Sequence, residues 1–241
     1  MVPSEEGESK SLVREYFEAL VIAVIFVRFV QAFVTQNFKI PSGSMEDNLK
    51  IGDHLVVNKF IFGPGPNFLL PMREIRRGDI IVFRYPVQPE TDFVKRVIGL
   101  PGETVDIRNK EVFINGVKLD EPYVTHQDPH TYPYPFRDQF HWVVAADQYF
   151  VLGDNRDDSR DSRYWGNVPR SMITGRPFMV YWSFRGVPTM ADARWQDRAK
   201  ELVNVVRYFL PRTRWDRMFM IIDKKYHYHA EEPIEGVNEL Q

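Results

Sequence analysis

Three short segments carry the side chains that could do chemistry. Residues 40–45 read IPSGSM, in which a glycine separates two serines. A serine Oγ is a weak nucleophile that needs an adjacent base, and a glycine beside it lets peptide N–H groups approach a substrate carbonyl. Residues 94–103 read VKRVIGLPGE, and residues 153–166 read GDNRDDSRDSRYWG. Taken singly, these segments would be a linker turn, a strand with a surface lysine and a charged loop.

Composition and missing motifs exclude several kinds of site. The 241 residues contain no Cys, which excludes disulfides, thiolate zinc sites and a cysteine nucleophile. No G-x-S-x-G, S-x-x-K, H-E-x-x-H or Walker A motif occurs. Arg156 and Arg160 interrupt the acidic run 154–161, which also lacks the closing Glu of a calcium loop. The formal net charge of −2 gives no electrostatic reason to expect nucleic acid. We therefore expect no metal, no cofactor and no nucleic-acid partner.

Short apolar runs separated by Gly and Pro turns must position these segments. From residue 39 onward they predict a mostly antiparallel β fold. The predicted strands lie within 51–61, 80–86, 92–100, 104–107, 112–114, 148–152 and 178–184, with a hairpin signal at Asn115-Gly116. Residues 121–141, rich in Pro, His, Tyr and Asp, predict a loop or the edge of a ribbon.

The N-terminal part contains one long apolar stretch. Residues 19–34 read ALVIAVIFVRFVQAFV, in which only Arg28 and Gln31 are not apolar. A membrane-spanning helix needs ~17–25 such residues, and flanking aromatic and apolar residues extend the stretch to a transmembrane anchor at 16–38. A buried helix and a cleavable signal peptide are the alternatives. Five acidic and only two basic residues precede residue 19, unlike the basic start of a signal peptide.

Together and in this order, the three segments resemble the bacterial type I signal peptidases, membrane-anchored serine proteases with a Ser–Lys dyad. The resemblance runs from about residue 28 to 185 and also includes Gly52-Asp53-His54 and the run RGDIIVF at 77–83. The long GDNRDDSRDSRYWG run is highly specific, and PSGSM is moderately so. The resemblance implies an endopeptidase that removes signal peptides from exported preproteins, after small residues in an A-x-A-like pattern.

The resemblance also implies roles for individual residues. Ser44 matches the nucleophile and Lys95 the general base. Ser42 matches a hydroxyl that stabilises the oxyanion together with the Ser44 backbone N–H. Supporting residues match a hydroxyl that orients the lysine amine and an ion pair beside it, namely Ser159, Asp161 and Arg163. The pocket for the substrate residue before the cut matches Ile40, Met45, Leu49, Phe93 and Val94. The neighbouring pocket matches Phe38, Leu55, Val82 and Asp92.

A lysine can act as a base only when it is neutral. Free lysine has a pKa near ~10.4, so a base working near neutral pH needs a lowered pKa. Side chains alternate along a strand, so Phe93, Lys95 and Val97 share one face. Lys95 would lie between apolar neighbours there, and desolvation would lower the pKa of its ammonium.

The sequence departs from the family pattern at two places. Where the family usually has Pro-Thr shortly after the nucleophile, this chain has Asp47-Asn48, and Asp158 replaces a usual Asn. The first departure could alter the turn after the nucleophile and hence fine specificity. Neither departure touches the Ser–Lys dyad.

Other functions fit parts of the sequence. A self-cleaving Ser–Lys repressor would cut its own Ala-Gly or Cys-Gly bond, and the chain contains neither dipeptide. A peptidase dedicated to pilin or conjugation substrates is an alternative within the same class. A non-enzymatic, membrane-anchored β scaffold is the third reading, and a Ser44→Ala variant separates it from a protease.

The expected organisation places a small cap inside a β-rich core. We expect a cytoplasmic tail at 1–15, the anchor at 16–38, the catalytic core at 39–103 and 145–190, the inserted β cap at 104–144, and a C-terminal extension of unknown role at 191–241. Because signal peptides are removed on the far side of the membrane, the core is expected outside a bacterial plasma (inner) membrane that the chain crosses once. The expected partners are preprotein signal peptides and the lipid bilayer.

Overall fold

Antiparallel β-sheet dominates the computed structural model, which describes residues 12–29, 35–46, 48–63, 72–126, 139–185 and 207–222. The described residues include the α-helices α1 (Leu12–Phe29) and α2 (Ser162–Trp165). The strands are β1 (Thr35–Lys39), β2 (Asp53–Asn58), β3 (Ile80–Tyr85), β4 (Gln88–Gly99), β5 (Thr104–Arg108), β6 (Glu111–Ile114), β7 (Val117–Lys118), β8 (Gln139–Val143), β9 (Gln148–Leu152), β10 (Val168–Pro169), β11 (Ile173–Ser183) and β12 (Met220–Ile221). Short 3₁₀ helices lie at Arg170–Met172 and Trp215–Arg217.

The N-terminal helix differs from the predicted anchor at 16–38. It already begins at Leu12, and the last part of the predicted anchor is strand β1, in which Phe38 pairs with Leu55 of β2. Phe38, which was expected to extend the anchor, therefore belongs to a paired strand instead. Charged residues interrupt α1 near both of its ends, with Glu15 in its first turn and Arg28 in its last. In the described part of the chain, no helix is both long enough and apolar enough to cross a bilayer.

The main sheet confirms the predicted antiparallel β fold. Its strand order is β1-β2-β11-β3-β4-β9-β10, with β12 added to β11, and all of these pairs are antiparallel. Strand β4 is central and long, and its second half is buried on both faces. Apolar residues of β3 and β9, such as Val82 and Val151, are fully buried beside it.

A second sheet is formed within residues 104–143, between β4 and β9 along the chain. Its strand order is β7-β6-β5-β8. The Asn115-Gly116 pair turns the chain between β6 and β7, and both residues have positive φ angles, of 50° and 84°. This is the conformation that an Asn-Gly hairpin requires. Residues 127–138 of the predicted 121–141 loop lie outside the described residues, whereas residues 139–143 form strand β8.

Part of the C-terminal region returns to the main sheet. Residues 207–212 are helical, and β12 pairs with β11 through Val180 and Met220. Ile222 is buried in the same hydrophobic cluster as Leu49 and Leu55. Part of the described segment 207–222 therefore packs against the core, although no role could be predicted for it from the sequence.

Candidate active site

Ser44 and Lys95 lie side by side in the structure. Lys95 Nζ lies 2.6 Å from Ser44 Oγ and 3.1 Å from the Val94 carbonyl oxygen, to which it also donates. Ser44 belongs to the irregular stretch 40–46 and 48–52 between β1 and β2, which we call the Ser44 loop. Lys95 belongs to β4, and both side chains are buried, with exposures of 8% and 4%. The two residues that sequence matching singled out are therefore in direct hydrogen-bond contact.

The surroundings of Lys95 disfavour its charged form. The amine lies 5.4 Å from the centre of the Phe93 ring, in agreement with the predicted alternation along β4. Burial lowers the pKa of the Lys95 ammonium to about 8 from an ordinary value of 10.5, although the Asp161 and Asp154 carboxylates act in the opposite direction. A buried ammonium loses its hydration, so the neutral amine is favoured. Near pH 8, a large fraction of Lys95 can therefore accept a proton.

Two further serines lie close to the pair. Ser42 Oγ is 3.5 Å from Ser44 Oγ, at the more exposed side of the Ser44 loop. Ser159 is buried, and its hydroxyl has no hydrogen-bond partner among the described residues. The contact predicted between Ser159 and the lysine amine is thus not made in this structure. Ser159 nevertheless lies beside the site, since a side chain at Gly153 would collide with its hydroxyl and also reach within 2.5 Å of the Ser44 carbonyl oxygen.

The predicted ion pair between Asp161 and Arg163 is present. Arg163 Nε and Nη2 donate to the two Asp161 oxygens, each over 2.8 Å, and the carboxylate also accepts from the Gly153 N–H. Burial alone would raise the pKa of the Asp161 carboxyl, but the Arg163 charge and hydrogen bonds outweigh burial and hold that pKa below its usual value. Arg163 also donates to the Arg156 carbonyl oxygen. The pair thereby fixes the backbone of residues 153–163.

A buried polar network connects the Ser44 loop to residues 153–155. The Asn155 backbone N–H donates to the Ser44 carbonyl oxygen, and its side-chain amide donates to the Gly43 carbonyl oxygen, each over 3.2 Å. Asn48 Nδ2 donates to Asp154 Oδ2 over 2.7 Å. Asp154 in turn forms a bidentate ion pair with Arg96, both side chains being 1% exposed.

None of these network residues was predicted as part of the site. Asp154 and Asn155 lie inside the specific GDNRDDSRDSRYWG run, which was the available signal. Arg96 directly follows Lys95, so alternation along the strand places its side chain on the opposite face. Asn48 stands at a position that departs from the family pattern, and nothing local in the sequence indicates its partner.

Most of the predicted pocket residues lie in one apolar cluster. The cluster and the residues packed on it include the predicted Phe38, Ile40, Met45, Leu49, Leu55, Val82 and Val94. Residues that were not predicted also take part, namely Val57, Ile80, Val180, Met220 and Ile222. Phe93 is not part of this cluster. Alternation puts it on the face of β4 opposite to Val94, where its ring stacks on Tyr85 at 4.4 Å. Asp92 pairs with Arg84 across β3 and is not part of the cluster either.

The arrangement is suited to acyl transfer. A hydroxyl in contact with a buried amine of lowered pKa is the combination that a serine nucleophile with a lysine base requires. Among the described residues, no group of three or more His, Asp or Glu side chains is placed to hold a metal ion. The candidate reactive groups are thus the Ser44 hydroxyl and the Lys95 amine, and the buried polar network around residues 153–155 supports them.

Comparison with known proteins gives one family. The family described as "Signal peptidase, peptidase S26" matches residues 13–182. The signal peptidase I of Pseudomonas aeruginosa is 33% identical over 217 residues, covering 75% of this chain and 76% of that protein. A probable signal peptidase I-2 of Synechocystis sp. is 37% identical over 198 residues, covering 79% and 81%. The signal peptidase I of Leptolyngbya laminosa is 37% identical over 188 residues, covering 74% and 84%. With a match over most of its length, the chain belongs to the signal peptidase family, peptidase S26, whose members are serine peptidases that cleave signal peptides from preproteins.

Proposed function

We propose that Ser44 is the nucleophile and Lys95 the general base of this signal peptidase. The neutral Lys95 amine takes the hydroxyl proton as Ser44 Oγ attacks the scissile carbonyl carbon. The resulting ammonium then returns the proton to the leaving amine as the peptide bond breaks. Water, deprotonated by the same amine, releases the signal peptide from the acyl-enzyme. The observation that carries this proposal is the 2.6 Å contact between two buried side chains, one of which has a pKa of about 8.

The oxyanion needs donors on the side of Ser44 away from Lys95. We assign this role to the Ser42 hydroxyl and the Ser44 backbone N–H. The 3.5 Å distance between the Ser42 and Ser44 hydroxyls supports the assignment, because a tetrahedral oxygen formed at Ser44 lies within reach of both donors. Asp161 and Arg163 are supporting residues that fix the backbone around the dyad, and we assign the neighbouring Ser159 hydroxyl the role of orienting the Lys95 amine when substrate is bound.

Specificity follows from the apolar cluster beside Ser44. Its members are closely packed, and Met45, Leu49 and Val82 are at most 1% exposed. Because these residues are apolar and tightly packed, we expect any pocket that they line beside Ser44 to be small and apolar and to accept Ala, Gly or Ser before the cut. A charged or bulky residue would lose about 1–3 kcal/mol per mismatched group. Equal cleavage of substrates with Ala and with Phe before the cut would contradict this assignment.

We further propose that α1 associates with the lipid bilayer and leaves the β domain on the outer face of the bacterial plasma membrane. Leu20, Ile22, Ile25 and Phe26 are each more than 60% exposed. Exposed apolar side chains on a helix favour contact with lipid. Protease added to spheroplasts should then digest the β domain. If the protease instead removed the N-terminus and left the β domain intact, the β domain would lie on the cytoplasmic face and the proposed orientation would be wrong.

The decisive experiment incubates the purified full-length chain with a preprotein. Mass spectrometry of the product should find one new N-terminus, directly after an A-x-A-like site. The Ser44→Ala variant keeps the fold and is the matched control, and it should give no product. A Ser44→Ala protein that still cleaves would remove Ser44 as the nucleophile.

A further inference from the structure

An arginine from the C-terminal segment reaches the back of the Ser44 loop. Arg217 lies at the end of a 3₁₀ helix and is buried, with 8% exposure. Its Nη2 donates to the Asn48 carbonyl oxygen over 2.8 Å. The same guanidinium makes two hydrogen bonds to Asp53, from Nε over 3.2 Å and from Nη2 over 2.6 Å. One buried side chain thus bridges both ends of the short stretch 48–53.

Asp53 is the anchor of this bridge. Its carboxylate is fully buried and also accepts from the Ser183 hydroxyl over 2.6 Å and from the Lys50 N–H over 2.8 Å. Arg214 lies 3.8 Å from the same carboxylate. A buried carboxylate needs partners of this kind, because an unpaired buried charge is strongly destabilising. The Asp53 group therefore gives Arg217 a fixed position from which to hold Asn48.

Asn48 connects this bridge to Ser44. The Leu49 N–H donates to the Met45 carbonyl oxygen over 2.8 Å, which ties the residue after Asn48 to the residue after Ser44. The side chain of Asn48 bonds Asp154, while its carbonyl oxygen bonds Arg217. Asn48 is thus held from two sides, and its neighbour Leu49 is bonded to Met45, the residue next to Ser44.

We infer that Arg217 is a positioning residue for the peptidase reaction, acting on Ser44 through Asn48. The inference rests on the proposed role of Ser44 as the nucleophile. It assigns a function to the C-terminal segment, which lies beyond residue 182, where the family match ends. Met220 and Ile222 of the same segment pack on the apolar cluster beside Ser44. The segment therefore supports the site through one polar and one apolar contact region.

The test replaces Arg217 in the full-length enzyme. Arg217→Met keeps the length of the stem but loses all donors, and kcat for a peptide substrate should fall about tenfold while KM stays within about twofold. Arg212→Met is the matched control, because Arg212 is exposed on the same segment and stacks on Tyr208. Its kcat should not change. An unchanged kcat in a folded Arg217→Met enzyme would overturn the inference.

A second variant keeps the charge that Asp53 needs. Arg217→Lys should retain the thermal midpoint but lose the fork that bonds Asp53 and Asn48 together, so kcat should still fall several-fold. Hydrogen exchange gives a readout without activity: the amides of residues 48–53 should exchange faster in Arg217→Lys than in Arg212→Met. Equal exchange in these two variants would contradict the positioning role. If Ser44→Ala remains active, the proposed nucleophile fails, whereas the exchange experiment still decides whether Arg217 holds the loop.

Discussion

Lys95 and Ser44 are brought together by two different kinds of structure. Lys95 is on strand β4, which pairs with β3 on one side and β9 on the other. Ser44 lies in an irregular loop whose position depends on side chains that come from far along the chain. The backbone hydrogen bonds that hold Lys95 do not depend on which residues flank it. The contacts that hold Ser44 require particular side chains, so substitutions around Ser44 should be the more damaging ones.

Removing Lys95, the proposed base, gives the largest expected effect. Lys95→Met should lower kcat/KM by at least about 10³-fold at every pH, because no other group replaces the neutral amine. Lys95→Arg should be equally inactive, since the guanidinium stays protonated. Lys118→Met is the control, because Lys118 is exposed in the second sheet. Cleavage of a fluorogenic signal-peptide substrate measures all three variants. Wild-type turnover by Lys95→Arg would leave the dyad without support.

Breaking the buried ion pair behind the Ser44 loop should come next. Asp154→Asn leaves the guanidinium of Arg96 buried without its counter-charge, which should cost about 3–5 kcal/mol of unfolding free energy. Glu111→Gln is the matched change in the second sheet, where Glu111 and Lys118 are 48% and 58% exposed. It should cost less than about 1 kcal/mol. Urea unfolding measures the free energy of unfolding of both variants. If both lost the same amount, the buried pair would be no more important for stability than the exposed pair.

The lowered pKa of Lys95 should appear in the pH dependence of stability. The folded-state pKa is about 8, whereas an unfolded lysine titrates near ~10.4. Between these values the unfolded chain binds more protons, so the unfolding free energy from this group rises with pH across that window, by about 3 kcal/mol in total. Lys95→Met lacks this rise. Urea unfolding of the wild type and of Lys95→Met at several pH values measures this rise. If the unfolding free energies of the two proteins changed equally with pH, the lowered pKa of Lys95 would be contradicted.

The activity should show the same ionisation. Wild-type kcat/KM should rise with pH through an ionisation near 8.

A single contact of the loop should have the smallest of these effects. Asn48→Ala removes the hydrogen bond to Asp154 and should cost about 1–2 kcal/mol of stability, with a several-fold loss of kcat. Gln88→Ala is the control on the strand that carries Lys95, because Gln88 is exposed at the start of β4. Its kcat should match the wild type. If both variants behave alike, the loop is no more sensitive than the strand.

The sequence predicted the strand better than the loop for a physical reason. The alternation of Phe93, Lys95 and Val97 is a local pattern, and it correctly indicated a buried lysine. The partners of the loop lie much farther away: Asn48 and Asp154 are 106 positions apart, and Asn48 and Arg217 are 169 apart. No local pattern encodes such contacts. The end of the N-terminal helix was misjudged for the same reason, because the strand pairing of Phe38 with Leu55 is a tertiary contact.

Ser44 is synthesised early and its supports are synthesised late. Asn155 bonds the Gly43 carbonyl oxygen across 112 positions, and Lys95 is 51 positions from Ser44. A domain built by the ribosome from its N-terminus cannot close such loops until the distant segment has emerged. A nascent chain therefore carries Ser44 before Lys95, its proposed base, and Asn155, which bonds its loop, have been synthesised. The proposed catalytic site is therefore complete only after residues as far as Asn155 have been synthesised.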